Sequence, residues 1–225
     1  MRNMNLIYDS HLDNEMGRVH CMLASNHNYY HDISICDKST VIRTQSHICE
    51  LINIKLKDEW LPKGMYVEES HGWLWKIKRT SSDNEQLYLK CFLEPNCEVL
   101  SQPDTGECLD AIEIENDLKV MHIGTEDPEV LYYRAKISDL MPSRLLKEFS
   151  NEQYYLGYTE YMENGFRTRV PDLIRNEVVY FQYLYALNTI KKSEMYPNEN
   201  DISTWYAVDK DKSFLAKELS LKFTI

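Results

Sequence analysis

Three residues in the stretch PDTGECLDAIEIENDLK, positions 103 to 119, have the types and spacing of a metal-dependent hydrolytic centre. Asp104 follows a proline, and Asp117 and Lys119 form an Asp-x-Lys unit. In a two-carboxylate nuclease, acids on neighbouring strands hold the divalent ion that activates water, and a lysine stabilises the charge that develops on phosphate. The spelling is met, but the setting is poor. Asn116-Asp117 separates two alternating runs, LDAIEIE and LKVMHIG, and so reads as a hairpin turn. A turn tip lacks the rigid support that a catalytic carboxylate needs.

A second set is His27, His31, His47 and Cys49. Imidazole and thiolate suit tetrahedral zinc, with His27 and His31 one helical turn apart and His47 and Cys49 on one strand face. Neither Cys-x2-Cys nor His-Glu-x2-His spacing is present, so this set is a minor alternative, and no bound metal or cofactor is expected. The seven glycines stand far from one another, which leaves no phosphate-cradling loop and no nucleophile elbow. All histidines and cysteines precede residue 123, so imidazole or thiolate chemistry would belong to the front of the chain.

The elements that must position these residues follow from periodicity. HGWLWKIK (71–78) places Trp73, Trp75 and Ile77 on one face, and QLYLKCFL (86–93) places Leu87, Leu89, Cys91 and Leu93 together. With SSDNE between them, 71–93 reads as a hairpin. Shorter strands are expected at 33–36, 41–56, 109–115 and 118–124. Beyond Pro142 the spacing suggests helices: one from Ser150 or Asn151 to Gly165, a second from Pro171 to about Lys192, and a short amphipathic piece at Ser213–Leu221. The expected fold is α+β. A mostly antiparallel strand-rich region, 1–137, packs with a helical region, 138–225, around one core.

Composition narrows the function. The chain of 225 residues carries a net charge of −11. Ten acids and one base, Lys119, fall between Glu98 and Glu129, so residues 98–129 form an acidic sector on a nearly neutral body. Such a sector repels phosphate and argues against broad nucleic-acid binding. The polar N-terminus has no secretory apolar core, and no apolar run is long enough for a membrane helix. Six irregularly spaced cysteines read as reduced thiols of a cytoplasmic protein.

The sequence therefore predicts a non-enzymatic interaction module of the inhibitor, immunity-protein or complex-subunit kind that meets a basic protein partner. A metal-dependent hydrolase is the alternative. The expected contact residues are Glu113, Glu115 and Asp117, side by side on one strand face, and Tyr154, Tyr158 and Tyr161 on the first helix, where self-association would also find a surface. Arg167 and Arg169 are the best pair for an anion.

Overall fold

Strand periodicity governs the chain well beyond its front half. The structure, a computed structural model, describes residues 4–27, 31–35, 39–57, 60–106, 109–137, 140–148, 157–193 and 200–209. Ten strands come first: β1 (Asn5–Asn14), β2 (Gly17–Ser25), β3 (Asp32–Ile35), β4 (Thr40–Arg43), β5 (His47–Ile54), β6 (Glu69–Arg79), β7 (Leu87–Pro95), β8 (Leu100–Pro103), β9 (Leu109–Glu115) and β10 (Lys119–Glu126). Helix α1 (Pro128–Ile137) and a 3-10 turn (Ser143–Glu148) follow, then β11 (Thr159–Met162), β12 (Gly165–Arg169), β13 (Val178–Thr189) and a short helix α2 (Ser203–Val208).

The strands form two antiparallel sheets. One has five strands in the order β1-β2-β7-β12-β11, and the other has eight in the order β3-β4-β5-β6-β13-β10-β9-β8. Their inner faces share one core. Val19, Cys21, Leu23, Leu89, Cys91 and Phe166 of the smaller sheet pack with Trp73, Trp75, Ile77, Ile112, Met121 and Tyr183 of the larger. A second cluster lies on the outer face of the larger sheet, where Ala207 and Val208 of α2 meet Leu109, Ala111, Leu184 and Ala186. Gly124 admits that helix, since a Cβ there would lie 3.0 Å from Val208 Cβ.

This architecture corrects the α+β expectation: the protein is mostly β, and no helical C-terminal half packs against a strand half. The segment read as a long helix, 171–192, contains β13, which sits between β6 and β10 in mid-sheet. Its alternate residues face opposite cores, with Phe181, Tyr183 and Tyr185 in one and Leu184 and Ala186 in the other. A strand buried on both faces shows an unbroken apolar run and loses the period of two that would identify it. The described part of the other supposed helix, 157–165, runs through β11 into β12. The amphipathic piece at 213–221 lies outside the described residues.

The 71–93 hairpin is also corrected. β6 and β7 exist, but β6 pairs with β5 and β13, and β7 with β2 and β12. The connection between them crosses from one sheet to the other, so the two apolar faces meet across the core instead of lying side by side. No helix among the described residues is long and apolar enough to cross a membrane. Cys21, Cys49, Cys91 and Cys97 are free thiols, and only Cys97 of these is exposed.

Candidate functional site

The acidic sector occupies the β8–β9–β10 end of the larger sheet, with β8 at the edge. The turn read at Asn116-Asp117 is present. Asn116 Oδ1 accepts from the backbone N–H groups of Leu118 and Lys119, and Asn116 N donates to Lys119 O. That local bonding is what an Asn at a tight turn supplies.

Not every acid of the sector is a surface charge. Glu126 is buried against the Arg134 guanidinium at 2.5 Å, and Asp127 Oδ1 accepts from Val130 N at 2.7 Å, capping α1. The carboxylates at the β8–β9 end remain. Glu98, Glu115 and Asp117 line a groove of about 780 Å³ together with Val99, Leu100, Leu118 and Ile190. Leu100 and Leu118 are 71% and 70% exposed, so two large aliphatic side chains stand open on this groove.

Lys119 does not neutralise this rim. Its ammonium is held by Glu68 and Glu15, and their hydrogen bonds raise its pKa. Nor does it join Asp104, the first residue of the nuclease spelling. Asp104 N donates to Ala111 O, so Asp104 sits beside Ala111, whereas Lys119 pairs with Asn116, about 16 Å further along β9. Asp117 is exposed at the turn between them.

Asp104 belongs to a different group. His122, buried on β10, faces its cross-strand partner Glu113 on β9. Its Nε2 lies 2.8 Å from Asp104 Oδ2 and 3.6 Å from Glu113 Oε2, and its Nδ1 lies 2.9 Å from Thr204 Oγ1 on α2. Gln102 Nε2 donates to the other Glu113 oxygen at 2.7 Å. Glu113 and Glu115 thus share a face, but Glu113 turns towards His122 and Gln102, while Glu115 and Asp117 border the groove. The hairpin turn would have exposed this pairing in the sequence: reflection about Asn116–Lys119 sets Glu113 opposite His122. The contact with Asp104, just past the end of β8, reaches across β9 to β10 and had no such signal.

The other expected residues are scattered. His47 and Cys49 are buried on β5, where His47 Nδ1 lies 3.2 Å from Glu85 Oε2 and burial pushes the Cys49 thiol up. Two groups of three metal-capable side chains converge among the described residues, and neither contains His27, His31, His47 or Cys49. Tyr158 packs partly buried against the core, and Tyr161 donates to Asp110 Oδ1 at 3.3 Å. Burial and the Asp110 carboxylate push the Tyr161 phenol up. Tyr154 lies outside the described residues. Arg167 pairs with Glu160 and Arg169 with Asp172, so each guanidinium already has a local carboxylate. No protein-family model matches the chain, and neither a curated protein nor a solved structure matches it.

Proposed function

We propose that this protein is an interaction module that docks a basic protein partner on the β8–β9 end of its larger sheet, as an inhibitor, immunity protein or complex subunit does. The carrying observation is the groove in which exposed Leu100 and Leu118 lie beside Glu98, Glu115 and Asp117 while Lys119, the sector's one base, is engaged elsewhere. The complementary surface is an amphipathic basic segment: aliphatic side chains cover the leucines, and lysines or arginines meet the rim. Such charges act chiefly on association rate and specificity. The test is association kinetics with a partner recovered from the native host. Glu115→Lys with Asp117→Lys is expected to slow association sharply at low salt and much less at high salt, because exposed charges are screened over about 8 Å at physiological ionic strength. A rate indifferent to both salt and charge reversal excludes this surface.

A metal-dependent hydrolase is a second reading, favoured by one observation: His122, Asp104 and Glu113 bring an imidazole and two carboxylates together where solvent reaches Asp104. On this reading the metal-holding residues are Asp104, Glu113 and His122, with Asp117 and Lys119 uninvolved. Magnesium- or manganese-dependent hydrolysis that disappears in Asp104→Asn, with the fold intact, would establish it.

A further inference from the structure

The outer face of the smaller sheet carries a histidine pair outside the site described above. β1 and β2 form a hairpin in which His11 is directly opposite His20, and Asp9, two residues before His11, is on the same face. The ring centroids of the two histidines are 5.8 Å apart, and His20 stacks on Phe92 of β7 at 5.1 Å. One Asp9 oxygen, Oδ2, lies 2.9 Å from His20 Nδ1 and 3.5 Å from His11 Nδ1. One ligand atom from each of the three residues lies within 4.8 Å of the others.

We infer that Asp9, His11 and His20 form a binding site for a divalent transition-metal ion of the zinc type, with Glu94 orienting His20 from behind. Three features carry this. Two imidazoles and a carboxylate are the donor set that borderline ions such as zinc favour, and ligands about 2.1 Å from a tetrahedral ion stand about 3.4 Å apart. The distances from Asp9 Oδ2, 2.9 and 3.5 Å, bracket that value.

The second feature is Glu94, whose Oε2 lies 3.1 Å from His20 Nε2. An N–H there donates to the carboxylate and leaves the Nδ1 lone pair directed at the ion, the arrangement by which outer carboxylates fix metal-bound histidines. Third, Asp9 Oδ1 is buried and finds no hydrogen-bond partner among the described residues, whereas a carboxylate oxygen out of water ordinarily has one.

The site is open on one side. His20 is buried, while the His11 side chain is 43% exposed, so three protein ligands leave a position for water or for a side chain from another molecule. The site lies on β1 and β2 of the smaller sheet, apart from the groove at the β8–β9 end of the larger.

The test is zinc titration of the full chain after chelator treatment, against a chromophoric competitor, with cobalt(II) absorbance as a second readout. One equivalent is expected. His11→Ala, at an exposed position that spares the fold, is expected to abolish tight binding and the cobalt bands. Glu94→Gln is expected to weaken binding by about 10- to 100-fold. Absence of stoichiometric zinc from the wild-type protein overturns the assignment, as does unchanged binding in His11→Ala. Binding kept in His11→Ala but lost in His122→Ala would also overturn it, moving the ion to Asp104 and Glu113. Glu115→Lys with Asp117→Lys leaves zinc affinity unchanged, so failure of this site and failure of the docking surface are separately readable.

Discussion

Glu85 and His47 meet in a corner where both side chains are 2% exposed, with Oε2 3.2 Å from Nδ1. Arg79 Nη1 donates to His47 Nε2 at 3.1 Å, which places the imidazole proton on Nδ1 and makes that nitrogen the donor to Glu85. Thr44 Oγ1, Ser46 Oγ and Ser46 N donate to the same carboxylate oxygen at 2.6, 2.8 and 3.0 Å. Burial acts to raise the Glu85 pKa, but these donors outweigh it and hold the group at about 2, against an ordinary 4.5. Burial lowers the His47 pKa from 6.5; the Glu85 hydrogen bond opposes this and Arg79 adds to it.

Both shifts have the same sign for stability. Each folded pKa lies below its unfolded value, so the unfolded chain binds more protons at acid pH and stability falls as pH falls. The loss begins below about pH 6.5 through His47 and continues from about 4.5 towards 2 through Glu85. The Glu85 part amounts to about 3 kcal/mol. Urea unfolding between pH 7 and pH 2 measures it, and Glu85→Gln is expected to be less stable at pH 7 with a flatter acid limb. A wild-type and variant of equal pH dependence would show that the corner does not bear this load.

Arg134→Ala is expected to cost about 3–5 kcal/mol, because it strands the Glu126 carboxylate in the interior. The partner replacement Glu126→Gln, added to Arg134→Ala, is expected to restore a substantial part of that loss. Gln can still accept from Gln182 N and Thr125 Oγ1, the other two donors to Glu126. Chemical denaturation of the single and double variants checks the sign of the coupling.

Gly17→Ala is expected to destabilise the β1–β2 hairpin by about 1–3 kcal/mol. Gly17 has φ +143°, and a Cβ would lie 2.2 Å from the Glu94 carbonyl oxygen. Thermal melting gives the cost, and amide exchange along β1 shows whether it is local.

Leu100→Ser and Leu118→Ser are expected to act on the partner complex differently from the charge reversals. Each leucine buried by a partner contributes about 1.5–3 kcal/mol, so dissociation should accelerate roughly tenfold or more per substitution while association changes little. Unchanged dissociation in both would show that the partner does not cover the groove.

The β9–β10 hairpin was legible because alternation and an Asn-Asp turn coincided, but the pairing of Glu113 with His122 that this turn fixes was not drawn from it. β13 was not legible, because burial on both faces removed its period; the aromatic residues in VVYFQYLYAL were the surviving strand signal. The β1–β2 hairpin was hidden for the opposite reason. Its outward face is rich in charge, with Asp9, His11 and Asp13, and its turn, Asn14 to Gly17, lacks the Asn-Gly spelling. The sheet partners of β6 and β7 depend on where the chain crosses between sheets, which no local pattern records.

The place of β13 also sets the order in which this molecule can be built. Every other strand of the larger sheet precedes it in the chain, yet β13 alone joins β6 to β10, through pairings such as Phe181 with Trp75 and Ile123 with Tyr185. Until residues 178–189 have emerged from the ribosome, two long strand edges, each with an apolar face, stand open, and that exposure favours misassociation. Closure then joins β13 to β6, about a hundred residues earlier in the chain, a high-contact-order pairing of the kind that slows folding.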